Sequence, residues 1–226
     1  MATTRRASTR PSTRSRKPPP HTLVLFVRHG QTATTGTILP GRAPGLHLAD
    51  AGREQAIAAA GRIAELDRVD AVYASPLERA RETAAPIAAA RQQKVRIDRG
   101  LLECDFGDWT GGELKKLMKL PEWRTVQSYP SGFRFPGGES FIEMQDRMVG
   151  TVQRLVAEHT GGVVVCVSHA DTIKAAVAHA LGTHLDLFQR IVISPCSVTA
   201  VVYGPGTPVV LTVNSTGGSL AQLKAS

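Results

Sequence analysis

Leu23-Val24-Leu25-Phe26-Val27-Arg28-His29-Gly30 decides the fold class when it is set beside Val163-Val164-Val165-Cys166-Val167-Ser168-His169. Each stretch is a strand-length apolar run that ends in a histidine, and an unbroken apolar run marks a strand buried on both faces. Working outward, helical patterns alternate with further short strands. Asp50 to Leu66, rich in alanine with Ile57, Ile63 and Leu66, reads as a helix, and Ala71 to Ala74 as a strand. A helix is predicted from Pro76 to about Arg91 and a strand over Val95 to Ile97, then a helix from Glu139 to Glu158. After the strand Val163 to Val167 comes a helix from Asp171 to Leu181. Strands near Ser197 to Tyr203 and Val209 to Val213 flank Gly204-Pro205-Gly206 as a hairpin. Alternating βα units of this kind imply a three-layer α/β/α sandwich with a mainly parallel central sheet.

In open α/β sheets the ligand crevice lies beyond the carboxyl ends of the strands. Two runs end there in histidine, so parallel neighbours would bring His29, His169 and the Arg28 guanidinium to one edge, an anion site with a nucleophile in it. A third run ends in Ser75-Pro76-Leu77-Glu78, which reads as a capping box with proline at the first helical position. Arg79 then opposes the helix dipole in the first turn, a placement that favours a nearby anion; snorkelling to solvent or pairing with Glu82 is the alternative. In Leu102-Glu103-Cys104-Asp105-Phe106 a carboxylate lies among apolar side chains, where burial raises its pKa toward the range useful for proton donation.

Composition bounds the remaining choices. The chain has 226 residues and a mass of 24.1 kDa, with 42% hydrophobic residues, enough for one sizeable core or at most two small ones. No uncharged apolar stretch approaches the roughly 20 residues of a membrane span. Cys104, Cys166 and Cys196 have neither disulfide nor zinc spacing and are expected to pack as small apolar residues in a reducing, cytoplasmic setting. The formal net charge of +8 includes six cations in residues 1–21, where there is no acid, which leaves only +2 for residues 22–226. That arm, rich in Arg, Ser, Thr and Pro, is expected to be disordered. A polyanion-binding arm and an organelle transit peptide are its other readings, while the missing apolar stretch excludes a secretory signal. Nucleic acid is not an expected partner of the globular part.

These motifs together resemble the histidine phosphatase superfamily, the phosphoglycerate mutase-like group. The resemblance runs through Arg28-His29-Gly30-Gln31-Thr32, Gly41-Arg42, Leu48 to Gln55, Ser75-Pro76-Leu77-Glu78-Arg79-Ala80-Arg81-Glu82-Thr83-Ala84, Leu102 to Gly111, Pro136 to Ser140 and Val167-Ser168-His169. Within the group it is similar to a bacterial subgroup described as phosphomutases and phosphatases. It implies that His29 accepts the phosphoryl group, that Arg28, Arg79, His169 and the Thr32 hydroxyl contact the phosphate, and that Glu103 donates the proton. It also implies no metal and no cofactor. The chain departs from the group at Thr35, where an asparagine is common, and at Thr34, where mutases often carry tryptophan. Asp171, two residues after His169, is a rival proton donor, because another branch uses an aspartate just after its second histidine.

The expected organisation is a basic arm over 1–21, a histidine phosphatase domain over 22–214 and a frayed tail over 215–226. The expected activity is hydrolysis of a small-molecule phosphate ester. Mutase-type transfer is an alternative, and a non-catalytic polyanion-binding protein on the same fold is another. Lys115, Lys116, Lys119, Arg124 and Arg134, interleaved with Trp109, Trp123 and Phe133, form either a lid selecting an acidic or phosphorylated substrate or a solvated helix face over core aromatics.

Overall fold

The computed structural model describes residues 20–224, so nearly all of the predicted arm lies outside the described residues. In chain order the elements are β1 (Thr22–Arg28), β2 (Ile38–Leu39), α1 (Asp50–Ala64), β3 (Ala71–Ala74), α2 (Glu78–Ala90), β4 (Val95–Ile97), β5 (Gly112–Glu113), α3 (Leu114–Leu117) and α4 (Pro121–Ser128). They continue with α5 (Phe141–Glu158), β6 (Val163–Ser168), α6 (Ala170–Ala180), β7 (Val198–Tyr203) and β8 (Val209–Ser215). Six strands form the central sheet in the order β4-β3-β6-β1-β7-β8. The first four are mutually parallel, and β7 and β8 are antiparallel, β7 against β1 and β8 against β7 in the expected hairpin.

Side chains alternate across the pleat and so build a core on each face. Leu23, Leu25 and Val27 point with Val165 and Val167 toward Ile63 of α1 and Ile87 of α2. Val24, Phe26 and Cys166 face the other way, onto Met148 and Val152 of α5 and Ile173 of α6. This is the three-layer arrangement expected from the βα alternation. A third cluster, built from Phe106, Trp109, Phe133, Phe135, Phe141 and Phe188 among others, lies under the segment that carries β5, α3 and α4. All three cysteines are buried free thiols. Among the described residues no helix is long and apolar enough to cross a membrane.

Two local readings need correction. Ser75 does not cap α2, which begins at Glu78 after Leu77 with no side-chain cap. Ser75 is fully buried at the end of β3, and its Oγ hydrogen-bonds the Nε2 of His169 on the next strand at 2.8 Å. A hydroxyl held there satisfies a buried imidazole nitrogen that would otherwise go without a partner. The capping box is instead on α5: Ser140 Oγ accepts from the Glu143 N–H at 3.2 Å, and the Glu143 carboxylate accepts from the Ser140 N–H at 2.9 Å. The second correction concerns the frayed tail expected from residue 215. Ser215 ends β8, and Leu220 is buried in the α1–α2 face of the core. Arg62 of α1 satisfies the carbonyls of Ser215, Gly217 and Gly218 at 2.8–2.9 Å. Apolar burial plus three satisfied carbonyls offsets the entropy of ordering this segment.

Candidate active site

The register of β1 against β6 pairs Val27 with Val167 and Arg28 with Ser168, so the next residues, His29 and His169, leave the sheet side by side. The His29 N–H donates to the Ser168 carbonyl at 2.9 Å, and the two imidazole centroids lie 5.2 Å apart. The loop after β1 sits directly on α1. A Cβ on Gly52 would stand 2.0 Å from the Gln31 carbonyl oxygen, and one on Gly30 would stand 2.5 Å from the Gly52 oxygen. Thr83 of α2 fixes the same loop by accepting from the Gly30 N–H at 3.0 Å while donating to the Arg79 carbonyl at 2.7 Å. The loop bearing His29 is thereby held by two helices.

His29 is buried, and its Nδ1 donates to the Gly30 carbonyl at 2.7 Å. A carbonyl can only accept, so the proton sits on Nδ1 and the lone pair on Nε2. Burial, followed by the charges of Arg79 and Arg28, lowers the imidazole pKa to about 3. His29 is therefore neutral at physiological pH. His169 is fully buried, and burial together with Arg79 holds it well below the usual histidine range. Its Nε2 is engaged by the Ser75 hydroxyl, which leaves Nδ1 as the ring nitrogen without a protein partner.

Arg79 is fully buried, which excludes snorkelling. Pairing with Glu82 is excluded too, because Glu82 accepts from the Leu48 N–H at 2.9 Å and also engages His47 and Arg53. Arg79 Nη2 donates to the Gly41 carbonyl at 2.8 Å, and Arg28 Nη1 donates to the Ile193 carbonyl at 2.7 Å. Their remaining nitrogens define the site. Arg79 Nε and Nη1, Arg28 Nε and His169 Nδ1 are buried with no hydrogen-bond partner among the described residues. Unsatisfied buried donors cost about 1–3 kcal/mol each, more when charged, so three guanidinium nitrogens and a bare imidazole nitrogen near the neutral His29 ring make an arrangement suited to receiving an oxyanion.

Glu103 lines the same cavity, a space of about 300 Å³ that Arg28, His29, Thr32 and Asp171 also border. It is 8% exposed, and burial, followed by the charge of Asp171, raises its pKa to about 7. Its Oε1 accepts from the Cys104 N–H at 2.9 Å. Its backbone is clamped from behind: Arg42 Nε donates to the Glu103 carbonyl at 2.8 Å, and Arg147 donates to the Gly100 and Leu102 carbonyls at 2.7 and 2.8 Å. Glu139 joins the two guanidiniums at 2.9 Å each. Thr32 is buried, with its hydroxyl 3.0 Å from that of Thr35, which also accepts from the Thr32 N–H at 2.8 Å. Asp171 is tied to Lys174 Nζ at 3.1 Å.

The fold thus gathers all six predicted site residues, Arg28, His29, Thr32, Arg79, Glu103 and His169. Ser75, Thr83, Arg42, Glu139 and Arg147, which hold these groups in place, were not singled out as supports in the sequence, and no local signal marks them. Ser75, Thr83, Gly41-Arg42 and Glu139 do fall within the motif matches, but a motif does not reveal which distant group a side chain reaches.

The parallel sheet with a buried histidine pair at its carboxyl edge defines a class, and comparison with known proteins agrees. Residues 24–216 match the model of the histidine phosphatase superfamily (branch 1), and the chain belongs to that family. Its relatives include the bifunctional protein Rv2228c of Mycobacterium tuberculosis, 34% identical over 200 residues that make up 87% of this chain and 54% of that protein. The chain thus spans about half the length of that relative. Phosphoserine phosphatase 1 of Hydrogenobacter thermophilus is 29% identical over 198 residues, covering 85% of this chain and 92% of the relative. Among solved structures, the native mycobacterial glucosyl-3-phosphoglycerate phosphatase Rv2419c superposes with a TM-score of 0.78 at 26% identity, covering 86% of this chain and 99% of that one.

Proposed function

We propose that this chain hydrolyses the phosphomonoester of a small metabolite through a phosphohistidine on His29. The observation that carries the reading is the set of three unpartnered buried guanidinium nitrogens, with the unpartnered Nδ1 of His169, near a neutral imidazole whose free lone pair is on Nε2. In the first step Nε2 attacks phosphorus in line and the P–O bond to the alcohol breaks. Arg28, Arg79 and His169 hold the equatorial oxygens as charge spreads over them. Protonated Glu103 passes its proton to the departing alkoxide. In the second step the Glu103 carboxylate takes a proton from water, whose oxygen attacks the phosphohistidine and releases inorganic phosphate. Glu103 is protonated again and His29 is free. Asp171 is the weaker candidate for the acid because Lys174 holds it as an ion pair. The free buried thiols agree with a cytoplasmic setting.

The direct test incubates the protein with an alkyl monophosphate and, separately, with phosphoglycerate. Net release of inorganic phosphate is expected; isomerisation without release would turn the reading into a mutase. A second test addresses Glu103. Because the protonated form is the acid and its pKa is about 7, kcat/KM for alkyl phosphates is expected to fall about tenfold per pH unit above that value. Glu103→Gln is expected to lower alkyl phosphate turnover about 100-fold or more, to spare activated aryl phosphates in the first step, and to remove the alkaline limb. Equal slowing of the first step for both ester classes, read as the burst of released alcohol, would assign the proton transfer to the leaving group elsewhere.

A further inference from the structure

Much of the wall of the cavity beside His29 is apolar. Ile38 and Leu39 of β2, Phe106, Trp123 and Val126 of α4, and Phe135 form this part of it. Trp123 lies in an offset stack with Trp109, with the ring centroids 6.2 Å apart and 17° from parallel. Apart from Arg28 and Glu103, the charged side chains that line the cavity cancel. Lys174 Nζ donates to Asp171 at 3.1 Å and to Gln189 Oε1 at 3.0 Å, so this cation is already paired. The cations of the segment over the cavity point elsewhere. Lys116 pairs with Glu113 and Arg134 with Glu143, and among the described residues Lys115, Lys116, Lys119, Arg124 and Arg134 do not line the cavity. Binding a second carboxylate in this place would require a cation free to meet it, and an anion left unpaired against an apolar wall is costly.

We infer that the substrate is a phosphate ester of a bulky, uncharged alcohol with an apolar or aromatic face, and that esters carrying a second carboxylate are discriminated against. This rests on the phosphatase reading of the site. It places the chain's selectivity apart from that of relatives named for phosphoserine and glucosyl-3-phosphoglycerate.

Benzyl and 2-phenylethyl phosphate have alkoxide leaving groups, so comparing them with phosphoserine and 3-phosphoglycerate tests the alcohol moiety rather than chemical activation. The arylalkyl esters are expected to have kcat/KM at least about tenfold higher, since small changes of apolar contact in a pocket are worth roughly 10–200-fold. Gln127→Lys adds an unpaired cation at an exposed position on the cavity wall. It is expected to shift the ratio toward 3-phosphoglycerate by about tenfold. Trp123→Ala is expected to lower the ratio of benzyl to ethyl phosphate turnover. Preference for phosphoserine or 3-phosphoglycerate in the wild type would overturn the inference. If no ester is hydrolysed at all, the phosphatase reading fails, and calorimetric binding still decides the cavity: tighter benzylphosphonate than 3-phosphonopropionate supports it, and the reverse order refutes it.

Discussion

His29→Ala is expected to lower phosphatase turnover at least about ten-thousand-fold, because the nucleophile and its acceptor atom disappear together and the remaining receptor has nothing to transfer to. Rapid quenching of the wild type during steady consumption of a radiolabelled ester is expected to trap an acid-labile N–P adduct that the variant lacks. Wild-type turnover without the adduct would refute the covalent route. The same substitution carries a stability signature whose sign follows from the protonation state. The His29 pKa is about 3 in the folded protein against about 6.5 in an unfolded chain, so below pH 6.5 the unfolded chain binds a proton that the folded one does not. Stability attributable to keeping this imidazole neutral is present above pH 6.5 and is lost as the pH falls through the range 6.5 to 3. The loss is on the order of a few kcal/mol. His29→Ala removes that penalty, so the variant is expected to retain more of its neutral-pH stability at pH 4 than the wild type does, as read by denaturant midpoints.

Arg79→Met is expected to uncouple stability from function. Two of the Arg79 nitrogens are buried without partners, and the guanidinium charge is taken fully out of water. Removing a buried, incompletely paired charge lifts its desolvation cost, and replacement of buried ionic groups by apolar side chains of similar volume is often neutral or stabilising by roughly 1–4 kcal/mol. For a chain of this size each kcal/mol is about 2–4 °C in Tm. The variant is therefore expected to melt several degrees higher without ligand, to lose at least about a thousandfold in kcat/KM, and to lose the thermal stabilisation that inorganic phosphate confers on the wild type. A lower Tm for the variant, with phosphate stabilisation intact, would mean that Arg79 is a structural cation and not part of the receptor.

How much of this was legible before any coordinates depends on the kind of signal each residue leaves. His29 and His169 are legible as candidates because an apolar run ending in a polar residue marks a strand and its carboxyl end at once. Arg79 is legible as one because a cation in a helix's first turn opposes the dipole. Glu103 is a weak candidate on its own sequence context and stands out only within an ordered set of motifs. Ser75 was misread for a physical reason. A serine before a proline and an acid fits an N-cap locally, yet its hydroxyl bonds an imidazole 94 residues away. The choice between a substrate-selecting lid and a solvated face is likewise undecidable from sequence, since whether Lys116 or Arg134 faces a cavity depends on which acid is near it in space.

The sequence by itself determined the alternation of strands and helices, the two histidines at strand ends and the family to which the motifs belong, because periodicity and strand-end chemistry are local properties of the chain. Tertiary structure alone decided which donors are left without partners, the neutral state of His29, the raised pKa of Glu103 and the uncharged wall of the cavity. Those are properties of burial and of pairing between residues far apart in the chain, and neither is written in any single stretch of it.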